Sequence, residues 1–257
     1  MPEWLQHGDE FGEIGRALEI DSFMVRVAAF RSRALSFFSE RYSELSTSTP
    51  DLEYLAHTGK ELEDDLVHWS ETMSGEWGFR QQTSSEDFDD DASRNTFDGY
   101  SNSYTSHGHA SLWLRQRALR LIINSIFLKF IAVRLQSAID QTHLLMKQTR
   151  MRGNLDSVSR ELCRDMPFFF TPAPLSRESS PTSTSTSTSV SQLIPANPLE
   201  ILPTLASMLA WPLAIAVSTE NVPEPQRQWL QERLRAVANS LGDAVLHDVG
   251  NRGAFVF

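Results

Sequence analysis

The residues whose types could do chemistry fall in a few short stretches. Residues 87–95, DFDDDASRN, crowd carboxylates together, and paired carboxylates are natural oxygen ligands for Mg²⁺. An all-helical cyclase would hang such acids on a helix facing an apolar cavity. It would add a second ligand group, with Asn, Ser and Glu at spacings of four and four. Around Asn124 and Asn154 that spacing fails, so the acidic run reads as a solvated loop and no metal site is assigned. His107 and His109 alternate in the same polar stretch without a third ligand, and read simply as polar residues. Cys163 is the sole cysteine, which excludes an intramolecular disulfide and a cysteine-cluster metal site. Met166 and Phe168 nearby point to a helix face and a buried, inert thiol. Arg120 and Asn124 stand four apart, on one face of any helix that carries them. If that face is buried, both need a carboxylate, a carbonyl or a ligand oxygen as partner. An ion pair or a capped carbonyl is the simpler expectation.

Motifs of standard enzyme chemistry are missing. The chain has no Gly-x-Ser-x-Gly elbow, no His-Glu-x-x-His, no phosphate-binding glycine loop and no dinucleotide fingerprint, so no cofactor is expected. A net charge of −10 opposes a nucleic-acid surface, which needs concentrated Lys and Arg to displace phosphate counterions. The opening MPEWLQHGDEFGEIG is acidic and polar, unlike a secretory signal or a transit peptide. Residues 201–217 carry no charge but hold Pro203 and Pro212 and are short for a bilayer. They read as a buried helix, with no membrane association expected.

The elements that must position these residues are helical. With 257 residues and 40% hydrophobic content, the chain can bury a substantial core. Asp21 to Leu45 reads as a helix, with Phe23, Val27, Phe30, Ala34, Phe37 and Phe38 recurring at three- and four-residue steps. A second runs from Asp51 to Met73 on Leu52, Leu55, Leu62, Leu66 and Trp69. Residues 81–109 are polar and aperiodic, and read as a long flexible loop. Ala110 to Thr142 is the longest helical signal, apolar enough to sit in the middle of a bundle. Asn154 to Phe170 is a short helix closed by Pro167 and three phenylalanines. The Ser/Thr/Pro tract 171–192 reads as a second flexible loop, with Ser180-Pro181 a weak phosphorylation signal. An apolar helix then ends at Trp211-Pro212, and an amphipathic one follows on Leu230, Leu234, Val237 and Leu241. Asn221 with Glu224 forms a capping-box pattern at its start, and Gly242 supplies a stop. Residues 243–257 add one turn of helix, and the apolar Ala254 to Phe257 dock back on the bundle. No stretch shows strand alternation. The expected architecture is all-α: one irregular helical bundle over residues 1–257, with long disordered loops at 81–109 and 171–192.

Some of these segments share a further pattern. In 62–79, a Leu and acidic residues precede Trp69, a short turn and Trp77. In 109–128, Trp113 and Arg117 precede Arg120, Leu121, Asn124 and an apolar run. In 154–170, Leu162 and Cys163 precede Pro167 and Phe168. In 207–246, Trp211-Pro212-Leu213 is followed by a loop, Arg227, Trp229, Leu230 and a Leu-Gly pair. Taken in this order, the segments resemble the C-terminal helical regulatory domain of fungal zinc-cluster transcription factors. The departure lies in the cysteines: that family's DNA-binding cluster needs six beside a basic segment, and this chain has one.

The resemblance implies a transcription-regulatory helical domain without its own zinc cluster, acting through a protein partner or a small molecule. A partner carrying a DNA-binding domain would bring it to DNA, and the nucleus is the implied location, with the cytoplasm as alternative. The chain is then either a fragment or a free-standing regulatory domain. The alternative is the same helical fold recruited for an apolar metabolite in secondary metabolism, as a binding protein or a cofactor-independent cyclase or isomerase working by positioning alone. The ligand-pocket candidates are Trp69, Trp113, Arg120, Asn124, Trp211 and Trp229. None has an assigned catalytic role.

Overall fold

The computed structural model describes residues 15–42, 49–83, 96–136, 141–170 and 201–253, with side chains from all of these except 40–42 and 49–51. The acidic run 87–95, the tract 171–192 and the tail 254–257 lie outside the described residues. The helices are α1 (Arg16–Tyr42), α2 (Thr49–Thr72), α3 (His107–Leu135), α4 (Thr142–Asp165), the single turn α5 (Pro167–Phe170), α6 (Pro203–Ser218), α7 (Glu224–Leu241) and α8 (Ala244–Arg252). Two short strands, β1 (Phe79–Thr83) and β2 (Tyr100–Tyr104), pair antiparallel with Phe79 opposite Tyr104. The architecture is a helical bundle with one β-ribbon at its side.

The apolar character of α3 decides its place. Residues buried on it span most of its circumference, from Ala110, Leu114 and Leu121 to Ile123, Leu128 and Phe130. Exposure is confined to its C-terminal part, at Lys129, Ala132 and Arg134, and to Gly108 in its first turn. It packs against α1, α2, α4, α6 and β2, and is the axis of the bundle. Phe30, Phe37 and Phe38 of α1 meet Phe130 of α3 with ring centroids 5.2–6.4 Å apart. Gly59 lets α2 come close at that point: a Cβ there would lie 2.7 Å from the Phe30 ring. Ser106 caps α3, its hydroxyl accepting from the His109 N–H. On the far side, α6 and α7 form a hairpin closed by buried Leu209, Leu213, Leu230 and Leu234.

Several expectations need correction. The loop 81–109 is structured at both ends, by β1, β2 and the first turn of α3. The alternation in YSNSY turns Asn102 and Tyr104 inward while Ser101 and Ser103 stay half-exposed, a strand pattern carried by polar residues. The third helix ends at Leu135, and the fourth begins at Thr142, a full twelve positions before the Asn154 expected from periodicity. Its added turns are mostly exposed, and their apolar residues cluster at Leu144, Leu145 and Met146 with no stripe at helical spacing to read. Helix α6 does not stop at Trp211-Pro212 but runs on to Ser218. Pro212 has no N–H to give the Met208 carbonyl, and the helix runs on with that one bond missing. Asn221 is not a cap: it takes φ of 67° in the turn, and Pro223 is the residue that flanks α7. Gly242 ends α7 in the left-handed conformation, φ 66°. The tail adds a nine-residue helix instead of one turn, capped by Asp243, whose carboxylate accepts from the N–H groups of Val245 and Leu246.

Candidate functional site

The bundle's most polar interior point lies where α3, α4 and the ribbon meet. Arg117 is itself buried on α3, so its guanidinium has to find its partners inside. It bonds the Asp165 carboxylate at the end of α4 and donates to the Tyr104 hydroxyl at 2.9 Å. A second nitrogen lies 3.3 Å from Glu161. Tyr104 and Asn102, both on the inward side of β2, donate to the Asp165 Oδ1. The side chains of Arg117 and Asp165 are 4% and 0% exposed. The guanidinium also lies 5.2 Å from the ring centroids of both Phe79 and Trp113.

Burial shapes the protonation of this hub. It pushes the Asp165 carboxyl up to about 6, although Arg117, Tyr104 and Asn102 all favour the charged form. It raises the Tyr104 hydroxyl well above its ordinary value. For Arg117 burial acts in the opposite sense, and the neighbouring acids outweigh it, so the cation is held more firmly than usual. Arg117 is therefore a fixed positive charge, and Tyr104 a fixed donor. Neither of these two is poised to exchange a proton near neutral pH; Asp165, pushed up to about 6, is the member of the hub that titrates closest to it.

Beside the hub opens a cleft of about 250 Å³ between α2, α3 and α4. Phe79 and Trp113 wall it on one side, and Arg117, Arg120, Gln116 and Glu161 supply its polar lining. Trp113 donates from Nε1 to the Trp77 carbonyl at 2.8 Å and meets Trp69 edge-on at 6.1 Å. Trp69 donates to Glu19 at 2.7 Å. Arg120 pairs with Glu63 of α2 at 2.8 Å, leaving the other Glu63 oxygen buried without a partner. One turn on, Asn124 is fully buried; its amide donates to the Arg120 carbonyl at 2.8 Å and its oxygen accepts from Asn154.

Thus Trp69, Trp113, Arg120 and Asn124 fall along one line of packing, while the other two candidates lie elsewhere. Trp211 is half-buried against the core. Trp229 stacks under the Arg233 guanidinium, 3.4 Å from its ring centroid, and meets Phe97 edge-on. Burial lowers Arg233 to about 10. Cys163 is buried close by, and burial pushes its thiol far above the reactive range. His109 stacks on Trp77 and His107 on Phe168, both at the N-terminal turn of α3. A second polar group ties α4 to α7: Gln226 donates to Asp156 at 2.7 Å and accepts from Ser159.

Sequence reasoning placed Arg117 only within the family-like pattern, and did not find Asn102, Tyr104, Glu161 or Asp165. The signal was there. A charge three or four residues from Trp113, Leu114 and Leu121 falls on a buried face and demands an acid. Among the described residues, no three His, Cys, Asp or Glu side chains are grouped to hold a metal ion, and no helix is long and apolar enough to cross a membrane. Protein-family models, curated proteins and solved structures return no match to this chain.

Proposed function

We propose that this chain is a transcription-regulatory helical domain without a DNA-binding module of its own, acting through a protein partner or a small molecule. One observation supports the reading above others: three of the four family-like segments, remote in sequence, pack and pair with one another. Trp69 of the first segment meets Trp113 of the second, and Trp113 bonds the carbonyl of Trp77. Glu63 of the first holds Arg120 of the second. Arg117 holds Asp165, which lies between Cys163 and Pro167 of the third. These residues serve as mutual struts. The charged groups of the hub and the Arg120 pair are matched to each other, as expected of a rigid regulatory scaffold.

The second reading, a fold recruited for an apolar metabolite, draws on the aromatic-walled cleft at Phe79 and Trp113. One experiment separates the two. The gene is deleted in its own host, and neighbouring transcripts and metabolites are followed in the same cultures. Regulation predicts that those transcripts collapse together with their product. Steady transcripts with one accumulating precursor would overturn it in favour of the metabolite reading.

A further inference from the structure

Away from the hub, α1, α3, α6 and α7 enclose a second recess of about 410 Å³ that reaches the end of α8. This is the size of a small-molecule pocket. Its floor is apolar, built from Phe38, Ile122, Ile126 and Ile215. Its rim is cationic: among the described residues, Arg31, Lys129, Arg227 and Arg252 line it, against one acid, Glu220. In a chain of net charge −10, that concentration of positive charge is local and out of character. Arg252 is already engaged by Asp248 at 2.8 Å. Lys129 is held by Glu220 at 3.4 Å, with both side chains largely exposed, an arrangement that costs little to redirect.

The wall also carries unmet polar capacity. The Ser218 hydroxyl and the Arg227 Nε are buried without a hydrogen-bond partner. Arg227 uses Nη2 on the Thr219 and Val222 carbonyl oxygens at 3.4 and 3.2 Å, which are long bonds. Buried polar atoms are rarely left this way, and here both belong to residues that line one recess.

We propose that this recess binds a small amphipathic carboxylate. Its hydrocarbon part lies on Phe38, Ile122, Ile126 and Ile215, and its carboxylate is held by Arg227 and Lys129. A bare inorganic anion would leave the apolar floor unused, and a neutral hydrocarbon would leave the cationic rim unused. The inference rests on the small-molecule arm of the proposed function. Its test is made on purified protein, so its failure leaves the transcript experiment untouched.

The probe is decanoate below its micellar concentration, titrated calorimetrically into the full chain beside decanol, decyltrimethylammonium and inorganic phosphate. Decanoate should bind at one site, and decanol about tenfold or more weaker. Arg227→Gln should weaken decanoate by a similar factor while ligand-free thermal unfolding stays close to that of the parent. Arg227→Lys should fall between, because it keeps the positive charge while losing the planar guanidinium. Lys129→Ala, at an exposed position, gives a second reading of the same contact. Equal binding of decanol and decanoate, or unchanged affinity in both the Arg227→Gln and Lys129→Ala proteins, overturns the proposal. So does binding that appears only after residues 254–257 are removed, which would assign the recess to those residues.

Discussion

Asp165 carries the clearest consequence at the scale of single residues. Its carboxyl titrates near 4 in an unfolded chain and is pushed up to about 6 in the folded protein by burial. Between those values the folded state binds more protons than the unfolded one. This group therefore takes stability away as pH rises from about 4 to about 6, and contributes no further slope above that. Asp165→Asn removes that downward contribution, so its urea stability should rise more steeply with pH across this window than the parent's does. At pH 7 the same change leaves the Arg117 charge buried without its acid, at a cost of about 3–5 kcal/mol. Urea unfolding of both proteins from pH 4 to 7 reads both effects. Parallel curves would show that Asp165 titrates in the folded state as it does in the unfolded chain.

Helix boundaries follow local chemistry, and two glycines show it with opposite signs. Gly153 lies exposed within α4, where an added Cβ meets no atom within 4 Å. Gly153→Ala should stabilise by about 0.5–1 kcal/mol by removing backbone freedom from the unfolded chain. Gly242 is equally open, but its φ is 66°. Gly242→Ala should therefore destabilise by about 1 kcal/mol through backbone strain alone. Thermal unfolding of the two variants checks the signs. What was legible in the sequence follows the same logic. The apolar face of α1, the whole of α3 and the stripe on α7 were readable because burial there recurs at helical spacing. The first half of α4 was not, since Thr142 to Arg152 is mostly exposed and only Leu144 is buried. The ribbon hid for a different reason: β1, FRQQT, is polar and nearly all exposed, and β2 buries an Asn and a Tyr where an apolar pair would be looked for. The hub stayed unread because its members belong to three elements, with up to 63 positions between them.

For the molecule as a whole, α3 is the axis on which everything else leans. Its amides should be the last to exchange with deuterium, from Ala118 to Ile126, and their exchange should report global unfolding. Amides of β1 and of the first turns of α4, which carry little apolar burial, should exchange through local opening well before. Hydrogen-exchange mass spectrometry resolves the order. Protection highest in α6 and α7 instead would make the C-terminal hairpin the stable centre.

The Arg117–Asp165 pair also bears on how a lineage of such chains can drift. Loss of either member strands the other's charge in the dark interior, and Tyr104 and Asn102 lose the acceptor they both serve. Positions 117 and 165 are therefore bound to change together: inherited as ion pair, swapped in polarity, or replaced jointly by apolar residues of like volume. Glu161 also meets Arg117, at 3.3 Å, but is still 31% exposed at the edge of the cluster, where water can take over its charge. Across diverging sequences the pair should behave as a single heritable character, with its neighbour free to wander.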